Sequence, residues 1–355
     1  MRTKTWGAIS TTALLSICGL AQGQSYSFEP ATYTGSAAGT LLTGQDAWYL
    51  PAVANSGDGF VYTYAGNTYG VVANPSGGSQ FVGGECSTTL QTFVRMQHDI
   101  AFTEGTWTMS ADFNGLFSTV NGGVLPAADN IGSWSMQPSA TARYFQFLMN
   151  WGSGAVAGIL QCPGCPPLTN YAPTGDKYHI LVGYFTAASP ATISFEPPTQ
   201  DWMDLSTNNW YRITAKWNFT TAQLLEVSIR NLTAGGSAVV TDLSSRGMYL
   251  FGGPSSVNPL PTAMRLFTGS LAFGNVTAWD NVSVGPMAMG PSCYANCDNS
   301  TILPFLNVND FVCFNNKFAA GDTNANCDQS TIPPVLNVND FICFNNAFAA
   351  GCSAP

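Results

Sequence analysis

The sequence predicts an all-β sandwich followed by a small, disulfide-stapled α module of two repeats. Three observations lead there. Segments of alternating apolar and polar residues, separated by turn residues, fill most of residues 24–287. The last sixty residues contain one unit twice, at an offset of 30 residues. Six of the ten cysteines fall in that repeated part.

Residues 1–23 read as a secretory signal peptide. Arg2 and Lys4 form the charged start, residues 8–20 the apolar core, and Ala21-Gln22-Gly23 a small-residue cleavage site. No other run is long and apolar enough to span a bilayer. The mature chain is therefore expected to be secreted or held at the cell surface, with no transmembrane segment. The formal charge of −9 and a pI near 4.4 argue against nucleic acid as a partner.

Residues 24–287 are poor in charge and rich in turns. Charged residues make up 9% of the chain and aromatics 12%, with 36 glycines and 21 prolines. Strands are expected at 106–113, 210–217, 225–229 and 271–284, and no long helical period interrupts them. One all-β unit of about 260 residues suits a two-sheet sandwich.

A linker at 288–292 leads to the repeats. Residues 296–321 and 326–351 share 21 of 26 positions. Each repeat opens with oxygen-bearing residues at alternate positions: Asn296, Asp298 and Ser300, then Asn326, Asp328 and Ser330. Each then brings an acid to the start of a helix, through Asn307 and Asp310 and through Asn337 and Asp340. Alternating oxygens let a short loop wrap a hard cation, so these ten residues are candidate calcium ligands. Phe311, Phe314 and Phe318, repeated as Phe341, Phe344 and Phe348, mark one face of a short helix. Gly321 and Gly351 suit its C-terminal cap. A bland alternative is that the Asx and Ser residues only form turns and caps.

This pattern, over residues 293–355, resembles the dockerin module, and within it the cysteine-containing type that ends in Gly-Cys. The resemblance implies calcium as cofactor and calcium-dependent docking to a cohesin-like or other scaffold protein. Departures are plain: Ser300 and Ser330 stand where an acid is usual, the turn glycine is missing, and three extra residues with Pro304 or Pro334 lengthen each loop. Two acids per loop predict weaker affinity than a full loop.

In an oxidising compartment the six cysteines read as a disulfide framework. Symmetry favours Cys297–Cys313 with Cys327–Cys343, the crossed pairing being the alternative, and Cys293–Cys352 as a clasp. Cys162 and Cys165 are expected to pin a loop, which leaves Cys86 over.

The opening Tyr26-Ser27-Phe28-Glu29 and the closing Trp279-Asp280-Asn281-Val282-Ser283-Val284 resemble the paired end strands of concanavalin A-like, laminin-G-like jelly rolls. That resemblance implies a carbohydrate-binding sandwich in which Glu29 and Asp280 share a structural calcium; two solvated strand-end acids would be the alternative.

Catalytic signals are weak. The chain has five glutamates, Glu29, Glu85, Glu104, Glu196 and Glu226, and none is followed by an acid two residues on. The Asp201 and Asp204 spacing does not put both on one strand face. His98 and His179 are the only histidines, and no Gly-x-Ser-x-Gly elbow is present. No catalytic residue is therefore named, and a polysaccharide hydrolase would need a carboxylate pair distant in sequence. The leading expectation is a glycan-binding, scaffold-anchored protein, with Trp48, Trp134, Trp151 and Trp202 as candidate sugar platforms. A structural matrix protein is the third reading.

Overall fold

The structure is a computed structural model that describes residues 23–86, 93–123, 129–137, 143–151, 176–255, 257–269, 274–286, 294–298, 306–328, 330 and 333–350. Seventeen strands lie among them. They are β1 (Gln24–Tyr26), β2 (Thr40–Leu41), β3 (Ser56–Gly57), β4 (Phe60–Thr63), β5 (Gln80–Glu85) and β6 (Phe93–Asp99). Then come β7 (Thr106–Phe117), β8 (Asp129–Gln137), β9 (Phe145–Trp151), β10 (Lys177–Thr186), β11 (Ser189–Glu196) and β12 (Leu205–Ser206). Next are β13 (Tyr211–Asn218), β14 (Gln223–Asn231), β15 (Val239–Asp242), β16 (Ala263–Thr268) and β17 (Asn275–Pro286).

They form two sheets. The larger runs β15-β14-β13-β7-β17-β5-β4-β2, with β1 also paired to β17. The smaller runs β11-β10-β9-β8-β16-β6-β3, with β12 paired to β10. The expected jelly-roll-like sandwich is thus present, and its first and last strands pair, Tyr26 opposite Val282.

Alternation explains the core. On β7, Trp107, Met109, Ala111 and Phe113 point inward, while Thr108, Ser110 and Asp112 point out. On the neighbouring β13, Ile213, Ala215 and Trp217 do the same, Trp217 lying opposite Trp107. The larger of these, such as Met109, Phe113 and Ile213, each contribute roughly 1.5–3 kcal/mol by leaving water. Gly83 permits the closest strand approach: a Cβ there would stand 1.9 Å from the Thr277 carbonyl oxygen.

The C-terminal repeats form two helices, α1 (Val308–Ala319) and α2 (Val338–Ala350). Asn307 caps α1 by accepting from the Asn309 N–H, and Asp310 reaches back to the Asn307 N–H, a capping box. Gly321, at φ +71°, ends it, with Asp322 N–H on the Lys317 carbonyl. Gly351 lies outside the described residues.

The two repeats pack about a local two-fold. Phe314 stacks on Phe344 at 4.3 Å and 14°. Phe311 meets Phe348 at 4.4 Å, and Phe318 meets Phe341 at 4.5 Å. Tyr294 sits 6.4 Å from both Phe314 and Phe344. Disulfides join Cys297 to Cys313 and Cys327 to Cys343, each tying the start of a loop to its helix. Cys293, Cys352, Cys162 and Cys165 lie outside the described residues. Cys86 is buried.

Candidate functional site

The outer faces of the two sheets carry different chemistry. On the smaller sheet, Val94 and Met96 enter the core, so Arg95 and Gln97 point out. Met264 and Leu266 put Arg265 and Phe267 on the same outer face, as Trp134 and Met136 do for Ser133, Ser135 and Gln137. Register then aligns these residues across strands. Gln97, Arg265, Ser135 and Gln146 form one rank, and Arg95, Phe267 and Ser133 the next. Most of these polar side chains are buried.

A cavity of about 190 Å³ opens on this face. The described residues lining it are Val53, Arg95, Ser133, Ser135, Gln137, Arg143, Arg265 and Phe267: three arginines and no acid. Arg265, buried, donates through Nε and Nη2 to Gln97 Oε1 at 2.9 and 2.6 Å. Gln97 in turn donates to the Tyr49 hydroxyl, which donates to Asp99. Arg95 donates to the Ala54 carbonyl at 3.1 Å and to the Ser56 hydroxyl. Its guanidinium lies 4.9 and 5.4 Å from the rings of Phe93 and Phe267. Arg143, just before β9, donates to Gln146 Oε1 at 2.8 Å. Burial, then the charges of Arg95 and Arg143, pull Arg265 down to about 10. Arg95 is lowered as well, by burial first and Arg143 next.

None of these arginines was singled out from sequence, because they lie on three separate segments. One signal was present: a charged residue in the middle of the apolar stretch Ala263-Met264-Arg265-Leu266-Phe267.

The expected tryptophan platforms are corrected. Trp48, Trp134, Trp151 and Trp202 are each at most 1% exposed. Trp48 donates to the Tyr33 hydroxyl, and Trp151 to Asn275 Oδ1 at 2.7 Å. Trp134 lies edge-on to Trp279, and Trp202 stacks on Phe147. All four belong to the hydrophobic core rather than to an outer sheet face, so they form no sugar platform.

Glu29 and Asp280 do come together, on either side of Gly78. A Cβ on Gly78 would stand 2.5 Å from Glu29 Oε1 and 3.7 Å from Asp280 Oδ2. Protein donors surround both acids. Glu29 accepts from Ser79 N–H, Ser79 Oγ and Gln80 N–H. Asp280 accepts from the Tyr64 hydroxyl, Asn74 Nδ2 and Asn281 N–H. Asn74 Nδ2 also reaches Asp112 Oδ2, and Arg212 clamps Asp112 through Nε and Nη2 at 2.7 and 2.8 Å. This node ties β7, β13 and β17 to residues 64–80. Burial, helped by the Asp112 charge and opposed by the donors, pushes Asp280 up to about 7. Asp112 and Asp280 are sealed from solvent, at 0% and 1% exposed, so this pair cannot face a scissile sugar bond. His98 is held by Asp99 O, Tyr26 OH and Asp46 O. His179 Nδ1 accepts from the Asp204 N–H, and burial lowers its pKa.

In the terminal repeats the candidate ligands converge on their own loops. Asp310 accepts from Asp298 N–H and Asn307 N–H. Asp340 repeats this with Asp328 and Asn337, at the same 3.3 and 2.8 Å. Asn326 and Asp328 side chains both accept from the Ser330 N–H. Asn296 is buried, and Ser300 lies outside the described residues. No cluster of three or more His, Cys, Asp or Glu capable of holding a metal occurs among the described residues. Each loop would offer a cation two acids, Asp298 with Asp310 and Asp328 with Asp340.

No protein-family model and no curated protein matches the chain. Among solved structures, similarity extends to a carbohydrate esterase from the Shiga toxin-encoding bacteriophage phi24B. The two are 11% identical, with 74% of this chain and 96% of that chain covered at TM-score 0.38. A lectin from Bauhinia forficata in complex with GalNAc is 7% identical, covering 75% and 98%, at TM-score 0.34. Alginate lyase vAL-1 from Chlorella virus is 10% identical, covering 67% and 88%, at TM-score 0.30. Overlaps this loose carry no argument about chemistry, which rests on this chain's own residues.

Proposed function

We propose that this is a secreted protein whose sandwich binds an extracellular glycan and whose terminal module docks it to a scaffold or surface partner. The observation that carries the first half is the outer face of the smaller sheet. Ser133, Ser135 and Gln137 line a cavity there, and Gln97 and Gln146 stand in register with Arg265 and Ser135 on the same face. Such groups both donate and accept, as sugar hydroxyls require. Calorimetric titration of the full protein against a polysaccharide panel tests it. Saturable binding to at least one polymer is expected, and a flat response across the panel would remove the glycan reading in favour of a matrix role.

The docking half rests on the duplicated module. Val308 and Val312 on α1, and their counterparts Val338 and Ile342 on α2, are exposed apolar residues on a small domain. Calcium, where bound, would be held by Asp298, Asp310, Asp328 and Asp340 with Asn296, Asn307, Asn326 and Asn337, and would order the loops from which both helices start. A cohesin-like protein is the partner the resemblance implies. Calcium titration followed by a thermal melt tests this half. Two binding events and a higher melting temperature are expected. A fold indifferent to calcium and to chelator would leave the disulfides as the sole staples and end the calcium reading.

A further inference from the structure

We propose that the glycan is anionic, and that the cavity between Arg95, Arg143 and Arg265 seats one acidic group of it, a uronate carboxylate or a sulfate ester. The inference rests on the glycan-binding reading above and specifies its ligand. Charge distribution carries it. Lysine and arginine together number only 11 in 355 residues, and the chain is net −9. Yet three arginines converge on one cavity of about 190 Å³ whose described lining includes no Asp or Glu.

Placing them there is costly without an anion. Arg265 is only 6% exposed, and a buried guanidinium loses hydration. It donates to the neutral Gln97 amide oxygen. Burial first, and the neighbouring guanidinium charges after it, lower both Arg95 and Arg265. An oxyanion entering the cavity reverses both effects. Carboxylate and sulfate each present coplanar or tripodal oxygens that the guanidinium fork matches in pairs.

The surroundings suit a sugar that carries the anion. Ser133, Ser135 and Gln137 line the same cavity and can take ring hydroxyls, and Phe267 offers an apolar face. The volume falls below the roughly 300 Å³ at which drug-sized pockets begin, so it holds one charged unit rather than a stretch of chain. The net negative charge does not forbid this. Charges beyond about 8 Å are screened at physiological salt, while a recessed, cationic cavity focuses its own field.

The test uses the full-length mature protein and four polymers in matched pairs: polygalacturonate with its methyl ester, and a sulfated galactan with its desulfated form. Binding to one or both anionic polymers, lost on esterification or desulfation, is expected; which pair responds assigns carboxylate or sulfate. Arg143→Gln, at a position off the strands, should weaken that binding by about tenfold or more, with unchanged circular dichroism, and Arg143→Lys should recover part of it. Arg265→Gln is the second variant, read only if it folds. Equal affinity for charged and neutral members, indifferent to Arg143→Gln, would overturn the anion inference and leave the glycan reading standing. Binding to none of the four, nor to any neutral polymer of the panel, would overturn both.

Discussion

Removing one repeat's disulfide should cost the terminal module about 3 kcal/mol, and removing either should cost the same. The perturbation is Cys297→Ala with Cys313→Ala, compared with Cys327→Ala plus Cys343→Ala. Each bridge closes a loop of sequence separation 16. Constraining an unfolded loop of that length is worth about 3 kcal/mol at 25 °C. Loss of both then approaches 6 kcal/mol, within the range of a whole small domain's stability of roughly 5–15 kcal/mol. The compensating core is slight: Phe314, Ala325 and Phe344 are its fully buried members. The double-bridge variant should therefore leave the module unfolded on a folded sandwich.

The assay separates the two parts by their chromophores. Apart from Trp6, in the expected signal peptide, all eight tryptophans lie between residues 48 and 279, so the mature protein's indole fluorescence reports the sandwich. The helical signal near 222 nm reports mainly α1 and α2, which are the only α-helices among the described residues. In urea, each two-cysteine variant should lower the midpoint of the helical transition and leave the fluorescence transition in place. Asymmetry of a few tenths of a kcal/mol is expected, because Lys317 donates to the Cys297 carbonyl while its counterpart is Ala347. An unchanged helical midpoint, or one bridge costing more than twice the other, would refute the loop-closure reasoning and place the stability in the phenylalanine stack.

Three further outcomes are expected. Asp280 sits near pH 7 when folded, against an ordinary 3.8. A raised acid favours the fold when protonated, so sandwich stability should be greatest below about pH 4 as far as this group is concerned and fall as pH rises through 7. The effect is on the order of 4 kcal/mol, Asp280→Asn should flatten that slope, and denaturation midpoints at pH 5 and pH 8 check it. Trp202→Ala should cost about 3–5 kcal/mol through a core cavity while the folded fraction keeps its glycan affinity, read by parallel melts and titrations. Asn307→Ala removes the α1 cap and should cost about 1 kcal/mol, seen as an earlier helical transition with the tryptophan signal unmoved.

The strands were legible where alternation is strict. Residues 106–113 fall within β7, and 211–217 within β13, because period-two burial writes itself directly into sequence. The repeated unit was equally legible, since its phenylalanines recur at helical spacing and its cysteines at equal intervals. What alternation does not reveal is which of two faces meets the core. Trp134 lies in Gly132-Ser133-Trp134-Ser135, a context that suggests an exposed loop. It is instead a strand whose serines point outward, and the indole fills the interior. The same ambiguity hid the cavity, because its arginines belong to the face that the tryptophans vacate.

The arginine cluster was invisible for a second reason, which is topological. Arg95 and Arg265 stand 170 positions apart in the sequence, yet β6 and β16 are hydrogen-bonded neighbours, with Arg95 opposite Phe267. Only the strand order brings them together, and strand order is set by how the whole sandwich closes rather than by any local segment. A scarce charged residue inside an apolar strand is the local trace of such a site. Burial disfavours a charged side chain at 265, and the neighbouring Ser133 and Ser135 are uncharged. That an arginine stands there, buried and flanked by two more, is what favours a ligand that brings negative charge.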